Sequence, residues 1–234
     1  MLGFWVWVLS PRKEVKMKRT LVGLLAFLGA LGMAQKFSVE ASAGYIYSGL
    51  GGQLAVVAED LAPGLPLAVR LGLGFATSDA LDDNYNIGGG TTWGQFKNAN
   101  NLTEWGQNIT LSLDVLYKLP AQGLPVSLAP YLGLRYNMFE GGAYDNSGNW
   151  GKVSSNAFGF GGGIRAAYAV IPNLDVVADL GADYYLQSCI TASSSSGSTT
   201  TSCPGDSSYA NDNAFVTQPD GFVFRVRLGA AYRF

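Results

Sequence analysis

The sequence predicts an all-β chain: an eight-stranded antiparallel up-and-down barrel that crosses a membrane with its strands, with short turns at one end and long loops at the other. Three observations carry this. Apolar and polar or small residues alternate with a period of two over eight segments. The connections between these segments alternate in length. Finally, 48% of the 234 residues are apolar and only 14% charged, yet no stretch reaches the ~20 apolar residues of a membrane helix.

The N-terminus reads as a leader. Met17-Lys18-Arg19-Thr20 is a basic start, Leu21–Leu31 an apolar run, and Gly32-Met33-Ala34 supplies small residues before Gln35, the layout of a signal peptide over residues 17–34. Residues 1–16 place an apolar segment ahead of that basic start, which a signal peptide does not need. Arg12-Lys13-Glu14-Val15 can be encoded as AGG-AAG-GAG-GTN, a ribosome-binding sequence upstream of Met17. We therefore expect residues 1–16 to be a mis-annotated extension and residues 35–234 to be the barrel domain. The leader hides charge: without it, ten basic residues face sixteen acidic ones, a net of −6 instead of −2.

The strands follow in order. Lys36–Tyr47 sets Phe37, Val39, Ala41, Ala43 and Tyr45 against Ser38, Glu40, Ser42 and Gly44. The second is Gln53–Asp60. Leu67–Ala76 sets Leu71, Leu73 and Phe75 against Arg70, Gly72 and Gly74. Trp105–Leu119 sets Leu111, Leu113 and Val115 against Ser112, Asp114 and Lys118. Val126–Phe139 sets Leu128, Leu132 and Leu134 against Tyr131, Gly133 and Arg135. Ala157–Val170 sets Phe158, Phe160 and Ile164 against Gly161, Gly163 and Arg165. Leu174–Tyr185 sets Val176 and Leu180 against Asp175, Asp179 and Asp183. Phe222–Phe234 sets Phe222, Phe224, Val226 and Leu228 against Arg225, Arg227 and Gly229.

Asp60–Pro66, Pro120–Leu124 and Ile171-Pro172-Asn173 are short and carry Pro, Gly or Asn, as turns do. Thr77–Glu104, Glu140–Asn156 and Leu186–Gly221 are long and polar. Short turns opposite long loops describe an outer-membrane barrel. A β-sandwich also alternates, but its polar faces meet water and carry charge in quantity. Here the polar faces combine glycines with a few charges near mid-strand, which suits a cramped interior. Aromatic residues sit at the ends of the apolar parity, where a bilayer has its interfaces.

The C-terminal run Phe222–Phe234, FVFRVRLGAAYRF, ends in an aromatic carboxy-terminal residue, and Phe224, Val226, Leu228, Tyr232 and Phe234 share its apolar face. It resembles the assembly signal of outer-membrane barrels. With eight strands, the mature chain resembles the small barrels of the OmpA-transmembrane-domain, OmpX and OmpW type, and the outer-membrane barrels of the Thermus lineage. The resemblance implies a bacterial outer-membrane location, outer-membrane lipids as surroundings, and the secretory translocase and barrel-assembly machinery as partners during biogenesis. It also implies a monomer that serves as a structural, porin-like element of the cell envelope, with a narrow pore or lateral path as the alternative.

Composition excludes several chemistries. The chain has no histidine and two cysteines, so Ser-His-Asp, Cys-His and His-containing zinc sites are gone. Barrel phospholipases, palmitoyl transferases and omptin-type proteases use a catalytic His, so no enzyme is expected and no catalytic residue is assigned. Beyond the leader there is no basic run, so no nucleic-acid partner is expected either.

Three sets of residues remain as site candidates. An eight-stranded barrel is only wide enough for side chains to fill, and the inward parity carries Arg70, Lys118, Arg135, Arg165, Arg225 and Arg227 against Glu40, Glu59, Asp114, Asp175, Asp179 and Asp183. Paired, these make a salt-bridged plug, since an unpaired charge there would be costly. Cys189 and Cys203 lie in the last long loop of an exported chain, so a disulfide is expected, with a mobile Ser/Thr/Gly tip between them. Asp79 and the spacing Asp82-x-Asn84-x-Asn86 offer hard oxygen ligands for a divalent cation such as calcium, although no acidic residue closes the loop. No other cofactor is expected.

Overall fold

The computed structural model describes residues 36–46, 49–61, 64–120, 123 and 125–234. The extension expected at 1–16 and the signal peptide expected at 17–34 lie outside them. In chain order the elements are β1 (Lys36–Ile46), β2 (Gly49–Glu59), β3 (Leu67–Thr77), β4 (Asn86–Gly88), β5 (Thr91–Thr92), α1 (Trp93–Ala99), β6 (Thr103–Tyr117), β7 (Val126–Tyr144), β8 (Trp150–Ile171), β9 (Leu174–Tyr185), β10 (Ile190–Ser194), β11 (Thr199–Ser202), α2 (Tyr209–Phe215) and β12 (Gly221–Arg233).

Eight of these form the barrel. Strands β1, β2, β3, β6, β7, β8, β9 and β12 pair antiparallel in sequence order, and β12 pairs with β1 as well as β9, which closes the sheet. Closure is what a bilayer demands, since an open edge would leave backbone groups without partners in hydrocarbon. The run read as an assembly signal lies on this seam. Phe224, Val226, Leu228, Tyr232 and Phe234 all point outward and are exposed. The Phe234 N–H donates to the Phe37 carbonyl, tying the chain end to β1.

The period-two pattern holds with the expected polarity. Large apolar side chains such as Leu54, Leu73, Leu132, Phe160 and Leu228 form the exposed outer belt, whereas Glu40, Arg70, Asp114, Arg135, Asp183 and Arg225 are buried inside. In a membrane the apolar parity faces lipid and the polar parity faces the lumen.

The outer end departs from expectation. The second strand starts at Gly49 instead of Gln53, while β7 runs on to Tyr144 and β8 begins at Trp150, so most of the loop expected at Glu140–Asn156 is a hairpin. At ~3.3 Å per residue, the 22 residues of β8 extend well beyond a ~30 Å hydrocarbon layer, even when tilted. The loop expected at Thr77–Glu104 holds β4, β5 and α1. The one expected at Leu186–Gly221 holds β10, β11 and α2. The Ser/Thr/Gly tip between the cysteines is a β10–β11 hairpin, and β10 adds to the edge of β8. These segments look polar because alternate residues face water, and their strand character comes from partners distant in sequence.

The lumen is layered. Val57, Ala68, Leu116, Ala129 and Tyr131 pack at the short-turn end, beside Ala167, Val177 and Ala231. The charged side chains lie above them. Ile46, Ala76, Ala157 and Tyr185 form a further apolar layer toward the loops. Glycines make this filling possible. Tyr131 faces Gly163 on β8, which faces Gly181 on β9. A Cβ at either glycine would stand 2.6 Å from the Tyr131 hydroxyl. Replacing Gly163 with Val is therefore expected to displace Tyr131 and destabilise the barrel by ~1–3 kcal/mol, the cost of overpacking. The loss is read as a lower temperature for the electrophoretic shift between folded and unfolded protein.

Candidate functional site

The charged layer is one connected network to which every barrel strand contributes. Glu40 comes from β1, Gln53 from β2, Arg70 from β3, Asp114 from β6, and Tyr131 and Arg135 from β7. Arg165 comes from β8, Asp179 and Asp183 from β9, and Arg225 and Arg227 from β12. Strand register places Arg70 opposite Asp114, and both Arg227 and Arg165 opposite Asp179, on single rungs. Asp114 with Arg135, and Asp183 and Asp179 with Arg225, join adjacent strands on the diagonal, and the remaining contacts reach across the lumen.

Each carboxylate is shared. Asp114 takes Arg70 Nη2 at 2.9 Å and Arg135 Nη1 at 2.6 Å. Asp183 takes Arg135 Nε at 2.9 Å and also pairs with Arg225. Asp179 takes Arg70 Nη1 at 2.9 Å, Arg227 Nη2 at 3.0 Å and Arg225 Nε at 3.5 Å. Glu40 takes Arg165 Nη2 at 2.5 Å, with Arg70 Nη1 at 3.8 Å. Gln53 accepts from Arg227 and donates to Ser112 Oγ at 2.9 Å.

Tyr131 is the residue that the charge pattern did not single out. Its hydroxyl donates to Asp179 Oδ1 at 2.8 Å and accepts from Arg225 Nη2 at 2.8 Å. Its ring lies under the Arg70 guanidinium at 4.5 Å and near that of Arg225 at 5.6 Å, both within cation–π reach. The available signal was an aromatic on the polar parity, flanked by glycines on neighbouring strands. Gln53, Asn108, Thr110 and Asn137 also went unassigned. Thr110 donates to Asn137, which donates to Asn108, making a buried polar ladder above the ions. Asn108, part of an Asn-x-Thr sequon, is buried inside the barrel.

Of the twelve charged residues read on the inward parity, nine are in this network. The correction is Lys118, which stands at the short-turn rim on Glu59 at 2.6 Å and Asp60 at 3.4 Å. Asp175 likewise sits near the rim, paired with Arg233 at 2.7 Å. Their parity is inward, but they lie beyond the end of the filled section, where a long side chain reaches water.

The outer segments build a second centre. Ala80, Leu81, Trp93, Phe139, Ala143, Ile190, Tyr209 and Val216 form a buried cluster, joined by Leu102, Val153 and Phe215. Glu104 anchors it. One of its oxygens accepts from the backbone N–H groups of Ala80 at 2.9 Å and Leu81 at 2.8 Å. The other accepts from Trp93 Nε1 at 3.2 Å and Lys97 Nζ at 2.7 Å. Thr92 and Gln95 form a capping box that starts α1 and orients Trp93. The expected disulfide is present: Cys189 and Cys203 are bonded beside the first rung of the β10–β11 hairpin, Ile190 opposite Ser202.

Two of the oxygens suggested for calcium serve local turns: Asp82 Oδ1 accepts from the Asn84 N–H and Asn86 Oδ1 from the Gly88 N–H. The backbone carbonyl of Asp79 accepts from the Thr217 hydroxyl, a contact between distant segments. Among the described residues no three His, Cys, Asp or Glu side chains are grouped to hold a metal.

Two expectations follow from this geometry. Replacing Asp183 with Asn leaves Arg135 and Arg225 short of a counter-charge in a closed interior. Breaking such a buried pair costs ~3–5 kcal/mol, measurable as a lower urea midpoint for unfolding from micelles or bilayers. The second concerns Lys97. Burial opposes its charge, but its bonds to Asp83 and Glu104 outweigh this and raise its pKa above 10.5. A raised cation stabilises the fold fully below the unfolded value and loses that contribution as pH rises through the folded one. The outer lobe is thus expected to loosen above pH 10.5 while the barrel holds, seen as a change in Trp93 emission without loss of strand circular dichroism.

The comparisons with known proteins agree with this architecture. Neither a protein-family profile nor a curated protein matches the chain. Among solved structures, the chain is 61% identical to a major outer membrane protein from Thermus thermophilus, over 85% of this chain and 99% of that one, with a TM-score of 0.80. Far lower similarity is found to the N-terminal β-barrel domain of Pseudomonas aeruginosa OprF, 14% identical over 86% and 98% with a TM-score of 0.42. The attachment invasion locus protein Ail of Yersinia pestis is 13% identical over 85% and 97%, with a TM-score of 0.41. Nearly full coverage at 61% identity, on a closed barrel with an apolar belt, makes this chain a member of the family of small outer-membrane β-barrels represented by the Thermus thermophilus protein.

Proposed function

We propose that the chain is a non-conducting, non-enzymatic structural barrel. It anchors in the outer membrane through its apolar belt and holds a folded lobe outside the bilayer for surface contacts. The observation that carries this reading is the charge network across the lumen, with a member on every strand. A conducting pore of this width would need mobile or unpaired charges along a wetted path. Here Arg70, Arg135, Arg225 and Arg227 are each held by carboxylates or by Gln53, between apolar layers. The same saturation argues against hydrolysis in the lumen, because no carboxylate of the network is free to act as a general base. Lipids of the outer membrane surround the belt, the barrel-assembly machinery reads the seam strand, and the chain works as a monomer.

Purified barrel in a planar bilayer is expected to show no steady conductance at moderate voltage. The double variant Arg135→Ala with Asp183→Ala removes two linked members and is expected to admit ions intermittently. Steady channels in the unaltered protein that vanish in this variant would overturn the plug.

A further inference from the structure

The outer lobe contains a cleft of ~350 Å³, of the size that holds small ligands. One wall is the sheet formed by β7, β8 and β10, and the other carries Leu81, Trp93 and Phe215. The sheet side tapers. Successive rungs on one face are Phe139, Ser155 and Ile190, then Gly141, Val153 and Ala192, then Ala143, Gly151 and Ser194. Phe139, Ile190 and Ala143 are packed into the lobe core. Gly151 faces the same way as Ala143, yet a Cβ built on it meets nothing within 4 Å. The cleft is therefore open because the outermost rung carries no side chain at that position.

Its lining is aromatic and bears one uncompensated negative charge. Trp93 and Phe215 meet edge to face at 5.5 Å, and Tyr144 and Trp150, cross-strand partners near the hairpin tip, are half exposed at the mouth. Trp93 donates its indole N–H to the Glu104 carboxylate, which enriches the ring in electron density. Lys152 also lines the cleft, but it is neutralised by Glu140 at 2.6 Å. Asp145 has no cationic partner among the described residues. Its oxygens accept from Ser147, Asn149 and the Asn149 amide, and these bonds, the amide's first, hold its pKa below the ordinary 3.8. Indole and phenol faces beside a carboxylate attract an organic cation, as aromatic cages do with quaternary ammonium groups.

We propose that this cleft binds a small organic ammonium cation with an apolar body, with its charge toward Asp145 and its apolar part against Trp93 and Phe215. The geometry does not depend on whether the lumen conducts. The test uses the intact refolded protein and its tryptophan emission, to which Trp93 and Trp150 report directly. Titration with benzyltrimethylammonium is expected to give a saturable change, and phenylmethanesulfonate, an anion of similar size, none. Gly151→Leu fills the cleft without a clash and is expected to abolish the response. Asp145→Asn keeps the turn's acceptor and is expected to weaken the cation by about three- to fivefold, the scale of an exposed charge pair. Retention of the electrophoretic heat shift and of strand circular dichroism shows that each variant is folded. Equal responses to cation and anion, an unaltered response in folded Gly151→Leu, or no saturable response in the unaltered protein would each overturn the proposal.

Discussion

The requirement that every backbone N–H and C=O find a partner inside a bilayer governs this protein. It forces the sheet to close, and β12 meets β1 along nine residue pairs to do so. Once closed, the barrel has an inside and an outside, and the period-two alternation of every strand sorts into lipid-facing and lumen-facing sets. An eight-stranded circumference leaves no room for water at bulk density. Whatever lies on the inward parity must then pack and pair, and the density of ion pairs in the lumen is a consequence of closure.

That interior is solved with a small vocabulary. Carboxylates each take two or more guanidiniums, so that most of the arginines do not depend on a single partner. Tyr131 links Asp179 to Arg225 while its ring covers Arg70. Glycines opposite these side chains provide the volume: a Cβ at Gly161 would run into Asp183 and Arg135, and one at Gly181 into Tyr131. Arginine suits the task because its fork of donors can satisfy carboxylates from several strands at once. Buried ion pairs of this kind add little net stability against an apolar core, but they penalise any closure that leaves a charge unpaired. In a barrel, where a shift of register by one residue would turn charges toward lipid, that penalty acts on strand pairing itself.

The outer lobe rests on different physics. Outside the membrane, water is available, so stability returns to burial of apolar surface. Trp93, Phe215, Leu81 and Ile190 form a small core that β7, β8 and β10 support from one side. Glu104 gathers four donors from the segment that precedes it, and Leu81 bridges to Val216, joining the connection before β6 to the one before β12. The disulfide between Cys189 and Cys203 then closes the hairpin that lengthens the supporting sheet. The result is a folded platform set on a closed barrel, each with its own source of stability.

The alternation of residues determined the number of barrel strands, the face each side chain takes and the inward parity on which all nine charges of the network lie, because a period of two is a local property that one-dimensional reading detects. The two cysteines were enough to pair themselves. The tertiary structure decided what depends on partners far away in sequence. Lys118 shares the inward parity but falls at the rim, because depth along the axis follows from strand tilt and register. Tyr131 and Gln53 joined the network through geometry that no charge count registers. The segments read as polar loops became strands, helices and a core, since Trp93, Leu81 and Phe215 are scattered apolar residues until the fold brings them together. Closure by backbone hydrogen bonding explains why the barrel was legible. Cooperation among residues as far apart in the chain as Asp79 and Thr217, or Leu81 and Val216, explains why the lobe was not.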